Sequence, residues 1–423
     1  MMRIAALLGA VLVTAACTSP APDDGSPSPK LPPIDVRTGP TTALQAMDRL
    51  CIQPKIVSPP VKFKKTPPTI AQVESEVEQV RDLRYDRRVN VEPVTDAEID
   101  RRLREYFEAA YPKRFYARRT EAWATIGAIP PGIGILEALN RYQQGQVLGF
   151  YNSQNEELVY TGDADLTRVE QFVLAHELTH AIDDQHFDLD RLDRISQTCD
   201  DERFLAGLGV VEGSANYFAT QVVFRFPIQE TGDLGGSAAT GVPPLIVEVQ
   251  NYPYTSGQTF VDTLADGGGP AAVNQALERF PPSTEQILHP SKFRQDEPTK
   301  VDVPDFAPTF GAGWKDLDVM LVGELWLRAL LNTRLDQPTA ERAAAGWDGG
   351  IYRAWGDGKD VAVILRTVWD TEQDAREFAS ALRGFIGAGA GIVMDPKGKA
   401  VDAGFASSAR LLPTVEAALR SLA

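Results

Sequence analysis

The stretch "VLAHELTHAIDDQHFD", residues 173–188, carries three of the four histidines in this chain. His176 and His180 frame a His-Glu-x-x-His pattern, and His186 follows ten residues after the first. On an α-helix, residues i and i+4 lie about 40° apart around the axis and one turn apart along it. A helix here, expected over about residues 165–185, turns both imidazoles toward a single ion. Glu177 lies beside them and can reach a water held by that ion. A catalytic zinc takes neutral nitrogen and oxygen ligands and keeps one position open. A neighbouring carboxylate then suits the role of proton acceptor.

Two residues compete to be the third ligand. His186 stands where the pattern H-E-x-x-H-x-x-G-x-x-H places its last histidine. In that pattern a glycine lets the helix stop and the chain turn back, because glycine tolerates positive φ. Here the position is Asp183. If the helix continues instead, His186 falls about 80° from His176 and points away from the ion. The other candidate is Glu212 in "LGVVEGSANYFA" (208–219), on a second expected helix over about residues 202–224. The small residues Gly213, Ser214 and Ala215 let that helix approach the first, where Ala175, Thr179 and Ala181 are also small. Asn216, one turn on, is placed to hydrogen-bond the far nitrogen of a liganding histidine. Asp184, four residues after His180, is a candidate for a local hydrogen bond.

HELTH followed by a helix bearing Glu-Gly-x-Ala resembles the gluzincin class of zinc metallopeptidases. The runs "NYPYTSGQTFVDTL" (251–264) and "PPSTEQILHPSKF" (281–293) extend the likeness to bacterial, especially actinobacterial, lipoprotein metallopeptidases. The resemblance implies zinc held by His176, His180 and Glu212, with Glu177 as general base. It favours Glu212 over His186. The class often supports a histidine with an acidic residue four positions after the glutamate, and this chain has Asn216 there. The class also places a histidine or tyrosine to stabilise the oxyanion. His289 is the candidate, with Tyr254 and Tyr217 as alternatives. Ser283 to Gln286 reads as a capping box for a short helix, and Pro290 puts His289 at its end.

The surrounding sequence supplies the setting. The first residues, "MMRIAALLGAVLVTAAC", combine an early arginine with an apolar run too short to span a bilayer. They read as a signal peptide (1–17) ending in a lipobox-like Val-Thr-Ala-Ala-Cys, so Cys17 is the expected lipid anchor at the outer face of the cell membrane. Residues 18–41, rich in Pro, Ser, Gly and Asp, read as a tether. The remaining cysteines, Cys51 and Cys199, form an even pair in an oxidising compartment and are expected to be bonded. The net charge of −16 argues against a nucleic-acid partner.

A body of 42–342 is expected to begin with helices near 69–83 and from the capping box Thr95–Glu98, whose Arg101 and Arg102 pair with glutamates. "QVLGFYNSQNEELVYTG" (145–162) reads as strand, turn, strand, where an extended peptide adds to the edge. Further helices are expected over 244–290. From 343, "IYRAW", "GDGKD" and "VAVILRTVW" read as a hairpin followed by a helix over 371–383, a C-terminal α/β subdomain (343–423).

The expectation is an α+β, zincin-like zinc metallopeptidase acting on a peptide or protein. The alternatives are an inactive lipoprotein binding module on the same scaffold, or a metzincin-like site using His186.

Overall fold

A computed structural model describes residues 42–51, 66–110, 113–143, 147–153, 155–161, 166–196, 198–226 and 241–422. The expected leader and tether lie outside these residues. The architecture is α+β, with two sheets and two main apolar cores among the described residues.

The chain enters through α1 (Ala43–Leu50), started by a Thr42–Gln45 capping box, and continues through α2 (Pro68–Arg81). Strand β1 (Asn90–Val94) leads to α3 (Asp96–Ala110), α4 (Lys113–Ile126) and α5 (Ile135–Gln143). Thr95 caps α3 through the Glu98 N–H, while the Glu98 carboxylate turns to Arg101 and Arg102. The first half of the expected box therefore forms and the second gives way to an ion pair. Strands β2 (Gly149–Asn152) and β3 (Glu157–Thr161) complete a small sheet of order β1-β3-β2. β1 runs parallel to β3 and β2 antiparallel, which leaves β2 on the edge.

The metal-motif helix is α6 (Arg168–Phe187), with a Thr167–Glu170 capping box at its start and Asp188 in the left-handed region at its end. It packs on α8 (Asp201–Arg225), reached through α7 (Asp190–Ser196). Then come α9 (Pro244–Tyr252), a π-helical turn over Pro253–Gly257, and α10 (Gln258–Glu278), kinked at Gly269 before Pro270. The π turn packs against α8. This half of the molecule shares one core, built on Leu174, Leu178, Val210, Phe218 and Phe260 among others.

After α11 (Thr284–Leu288) and α12 (Ala307–Phe310), β4 (Lys315–Leu321) opens a second sheet. Helices α13 (Glu324–Asn332) and α14 (Gln337–Ala344) separate it from the hairpin β5 (Trp347–Gly356) and β6 (Val361–Trp369). Helix α15 (Glu372–Ile386), β7 (Gly391–Val393), β8 (Ala400–Ala406) and α16 (Leu412–Ser421) finish the chain. The strand order is β4-β5-β6-β8-β7, antiparallel throughout.

The hairpin and its following helix fall where the sequence puts them, within a larger five-stranded sheet. Its edge strand β4 lies upstream, and its core is continuous with α1, α4, α5 and α9. A disulfide joins Cys51, after α1, to Cys199, before α8. No helix among the described residues is long and apolar enough to cross a membrane.

Candidate metal centre

Two contacts set the relation of α6 to α8. Ser214 Oγ on α8 donates to Asp183 Oδ2 on α6 at 2.7 Å. Asp183 Oδ1 accepts from Arg81 Nε of α2 at 2.6 Å, and that guanidinium also lies over the Phe218 ring at 4.6 Å. Asp183 and Arg81 are buried, so each supplies the other's countercharge. The small residues of α8 divide their work. Ser214 faces α6, whereas Gly213 faces the π turn: a Cβ added there would stand 2.3 Å from the Gly257 carbonyl oxygen. A Cβ on Gly257 would likewise meet the Gly209 carbonyl at 2.3 Å. α8 and the π turn thus touch backbone to backbone, a contact only glycine allows. That approach brings Tyr254 beside His176, with ring centroids 6.3 Å apart and planes 29° from parallel.

The three ligand candidates converge. His176 Nε2 lies 3.1 Å from His180 Nε2 and 3.1 Å from Glu212 Oε2, and His180 Nε2 lies 3.5 Å from the same oxygen. Ligands about 2.0–2.1 Å from a tetrahedral ion stand about 3.3 Å apart, so these separations fit a zinc-sized ion. All three side chains are buried. Burial pushes the Glu212 carboxyl up, but the two imidazoles more than offset it and hold the group below its ordinary value. His176 Nδ1, His180 Nδ1 and Glu212 Oε1 have no hydrogen-bond partner among the described residues.

Glu177 lies between this cluster and the edge strand. Its Oε2 accepts the Tyr151 backbone N–H of β2 at 2.9 Å. β2 comes this close because position 149 is glycine: a Cβ there would sit 2.9 Å from Val173 Cγ1 and 3.4 Å from Glu177 Cγ. Burial pushes the Glu177 carboxyl up to about 8, with Glu212 adding to the rise and His176 and the Tyr151 N–H opposing it.

The other candidates lie elsewhere. α6 runs unbroken through Asp183, and His186 near its end meets the Arg84 carbonyl through Nε2 at 2.7 Å. It does not join the cluster, because Asp183 is held helical by Arg81 and Ser214. Asn216 does not support a histidine; its Nδ2 donates to the Tyr254 carbonyl at 3.4 Å. Asp184 does bond locally, accepting from the Tyr151 hydroxyl and the Leu189 N–H. His289 ends α11 as expected, but its Nε2 pairs with the buried Glu324 at 2.9 Å, and that carboxylate raises its pKa. It shares a surface pocket with Thr259, Arg328 and Glu341, and none of the three converging ligands lines that pocket. Neither half of the expected box forms at α11: Ser283 makes no capping bond, and the Gln286 side chain turns to the Asp296 carbonyl and the Arg294 N–H. Glu285, Asp296 and Asp370 also gather their oxygens, but Lys292 Nζ sits among them at 2.7, 3.1 and 2.5 Å. That group is an ion pair filled by the chain's own ammonium. The hold of the Tyr151 N–H on Glu177 has no signature in the sequence beyond a pair of strands ahead of the motif helix.

A family model described as a domain of unknown function (DUF8575) matches residues 315–411. The match runs from β4 past β8 and includes none of the converging residues. No curated protein and no solved structure matches the chain.

Proposed function

We propose that this chain is a zinc-dependent peptidase with a zincin-like catalytic half, anchored through Cys17 at the outer face of the membrane. The observation that carries the reading is the convergence of His176, His180 and Glu212 at tetrahedral spacing, with Glu177 alongside. Zinc, when bound by these three, supplies the Lewis acidity that makes a water nucleophilic near neutral pH. The rest belongs to the chain. Glu177 holds Oε2 on the Tyr151 N–H and keeps Oε1 without a hydrogen bond among the described residues, ready to take a proton from the attacking water and return it to the leaving amine. Tyr254, whose ring lies beside His176, is our candidate to stabilise the developing oxyanion, in preference to His289, which Glu324 holds. β2, the sheet edge next to Glu177, supports an extended polypeptide as substrate by strand addition.

The test is metal content and hydrolysis of a denatured protein substrate, compared between wild type and Glu177→Gln. Both should hold about one zinc per chain, with activity falling on the order of 10²–10⁴-fold in the variant. Absence of zinc from both proteins after reconstitution would overturn the metal reading. Zinc in both without hydrolysis by wild type would favour a binding role.

A further inference from the structure

Away from the metal ligands, the π turn and the start of α10 meet the end of α11, α13 and α14 around an open pocket of about 390 Å³. Its wall includes the pair of His289 and Glu324, joined at 2.9 Å through Nε2 and Oε1. The Glu324 side chain is 4% exposed and that of His289 39%, so the carboxylate is buried and the imidazole stands at the pocket surface. His289 Nδ1 has no partner among the described residues and keeps accessible surface. An imidazole fixed at one nitrogen by a carboxylate presents the other in a set direction. The same carboxylate favours the doubly protonated ring, in which Nδ1 is a donor.

Arg328 repeats the arrangement. Its Nε donates to Glu248 at 3.0 Å, while both terminal nitrogens are accessible and without partners among the described residues. The Ser256 hydroxyl is likewise accessible and unengaged among the described residues. The acceptors in the wall are fewer. Thr255 and Thr259 give their hydroxyl hydrogens to the Asn251 and Thr255 carbonyls, and Glu324 Oε2 is sealed off. Glu341 offers an exposed carboxylate, whose Oε1 takes the Gln337 amide at 2.8 Å and whose Oε2 has no partner among the described residues. Ile287 and Leu288 add an apolar stretch of wall. A simple anion in this pocket would face Glu341, and a simple cation would face Arg328 and His289. A molecule carrying both charges can pair with both sides.

We propose that this pocket binds a free α-amino acid with an apolar side chain, its carboxylate on Arg328, His289 and Ser256 and its ammonium on Glu341. The site is independent of the peptidase reading, and its test uses binding alone.

Three probes on one carbon skeleton separate the charges: L-leucine, isocaproate, which lacks the ammonium, and isopentylamine, which lacks the carboxylate. Calorimetry on the purified protein at about pH 6, where an imidazole is largely charged, should find one L-leucine per chain and weaker binding of the other two. Glu341→Gln, a change at an exposed side chain, should lower L-leucine affinity about fivefold and leave isocaproate at least as tight. Arg328→Met should weaken both carboxylates about tenfold or more and spare the amine. The ring nitrogen NMR signals of His289, assigned by their loss in His289→Gln, should move when L-leucine binds wild type. Failure of wild type to bind L-leucine, or binding that neither substitution weakens, would overturn the site. Isocaproate binding as tightly as L-leucine would overturn the amino acid as its ligand.

Discussion

Arg119 and His180 are both polar, both on helices and both buried, and their surroundings differ. Under the C-terminal sheet, Arg119 has every nitrogen met, by Asp318, Asp201 and Val319; Asp318 takes the Tyr352 hydroxyl, that hydroxyl takes the Trp123 indole, and Asp201 Oδ2 alone in this set lacks a partner among the described residues, so the network is nearly closed. Around α6 and α8, His180 and His176 present Nε2 to Glu212 and leave both Nδ1 atoms and Glu212 Oε1 without partners among the described residues. A closed network holds a core in one arrangement, whereas an open one costs free energy until something from outside completes it. On the function proposed above, the open set is the one that a metal ion completes.

The largest expected effect lies on the closed side. Asp318→Ala leaves Arg119 buried with half its countercharge gone and should cost about 3–5 kcal/mol in urea unfolding. Glu212→Ala, measured without metal, should cost clearly less; equal losses would break the contrast.

Glu202 comes next and sharpens the contrast by pH. Burial pushes its carboxyl up to about 8, while its Oε1 accepts the Thr284 N–H and hydroxyl. The folded state thus keeps a proton that the unfolded chain, near 4.5, has released. This contribution is fully present below the unfolded value and is lost as pH rises through about 8. Wild type should lose about 2–3 kcal/mol more than Glu202→Gln between pH 6 and 9. Parallel stability curves for the two proteins would remove Glu202 from the account.

Gly213→Ala tests the backbone contact of α8 with the π turn. Its methyl meets backbone rather than a yielding side chain, so a loss of about 1–3 kcal/mol is expected. The thermal midpoint reports the loss, and zinc content reports whether Glu212 has moved with it.

His186→Ala should be the mildest change, within about 1 kcal/mol, with zinc retained after dialysis against a weak chelator. Loss of the metal here would return the third-ligand question to His186.

Much of this was legible from local pattern. The spacing of His176 and His180, the position of Glu212 on the next helix, the β5–β6 hairpin and the Cys51–Cys199 pair follow from short-range rules and an even cysteine count. What escaped depended on partners distant in sequence. His289 reads as an oxyanion-stabilising candidate at a helix end until Glu324, 35 residues on, is seen to hold it. Gly213 reads as a residue that brings α8 to α6 until Gly257 is seen against it. The core joining α1, α4, α5 and α9 to the sheet has no local signature, and β4 lay upstream of the boundary drawn at 343.

The Cys51–Cys199 bond has a mechanical consequence. Any pull on the chain ahead of α1 is first resisted by α1 itself, held by the Ala43 N–H on Asp302 and by Arg49 on Asp316. Those contacts can be peeled one at a time. Behind them a covalent link carries the load to the foot of α8, the helix that holds Glu212. While the bond is oxidised, tension at the N-terminal side is delivered to the foot of α8 at a single point; once it is reduced, the same tension unzips α1 from the sheet and runs on along the chain toward α2.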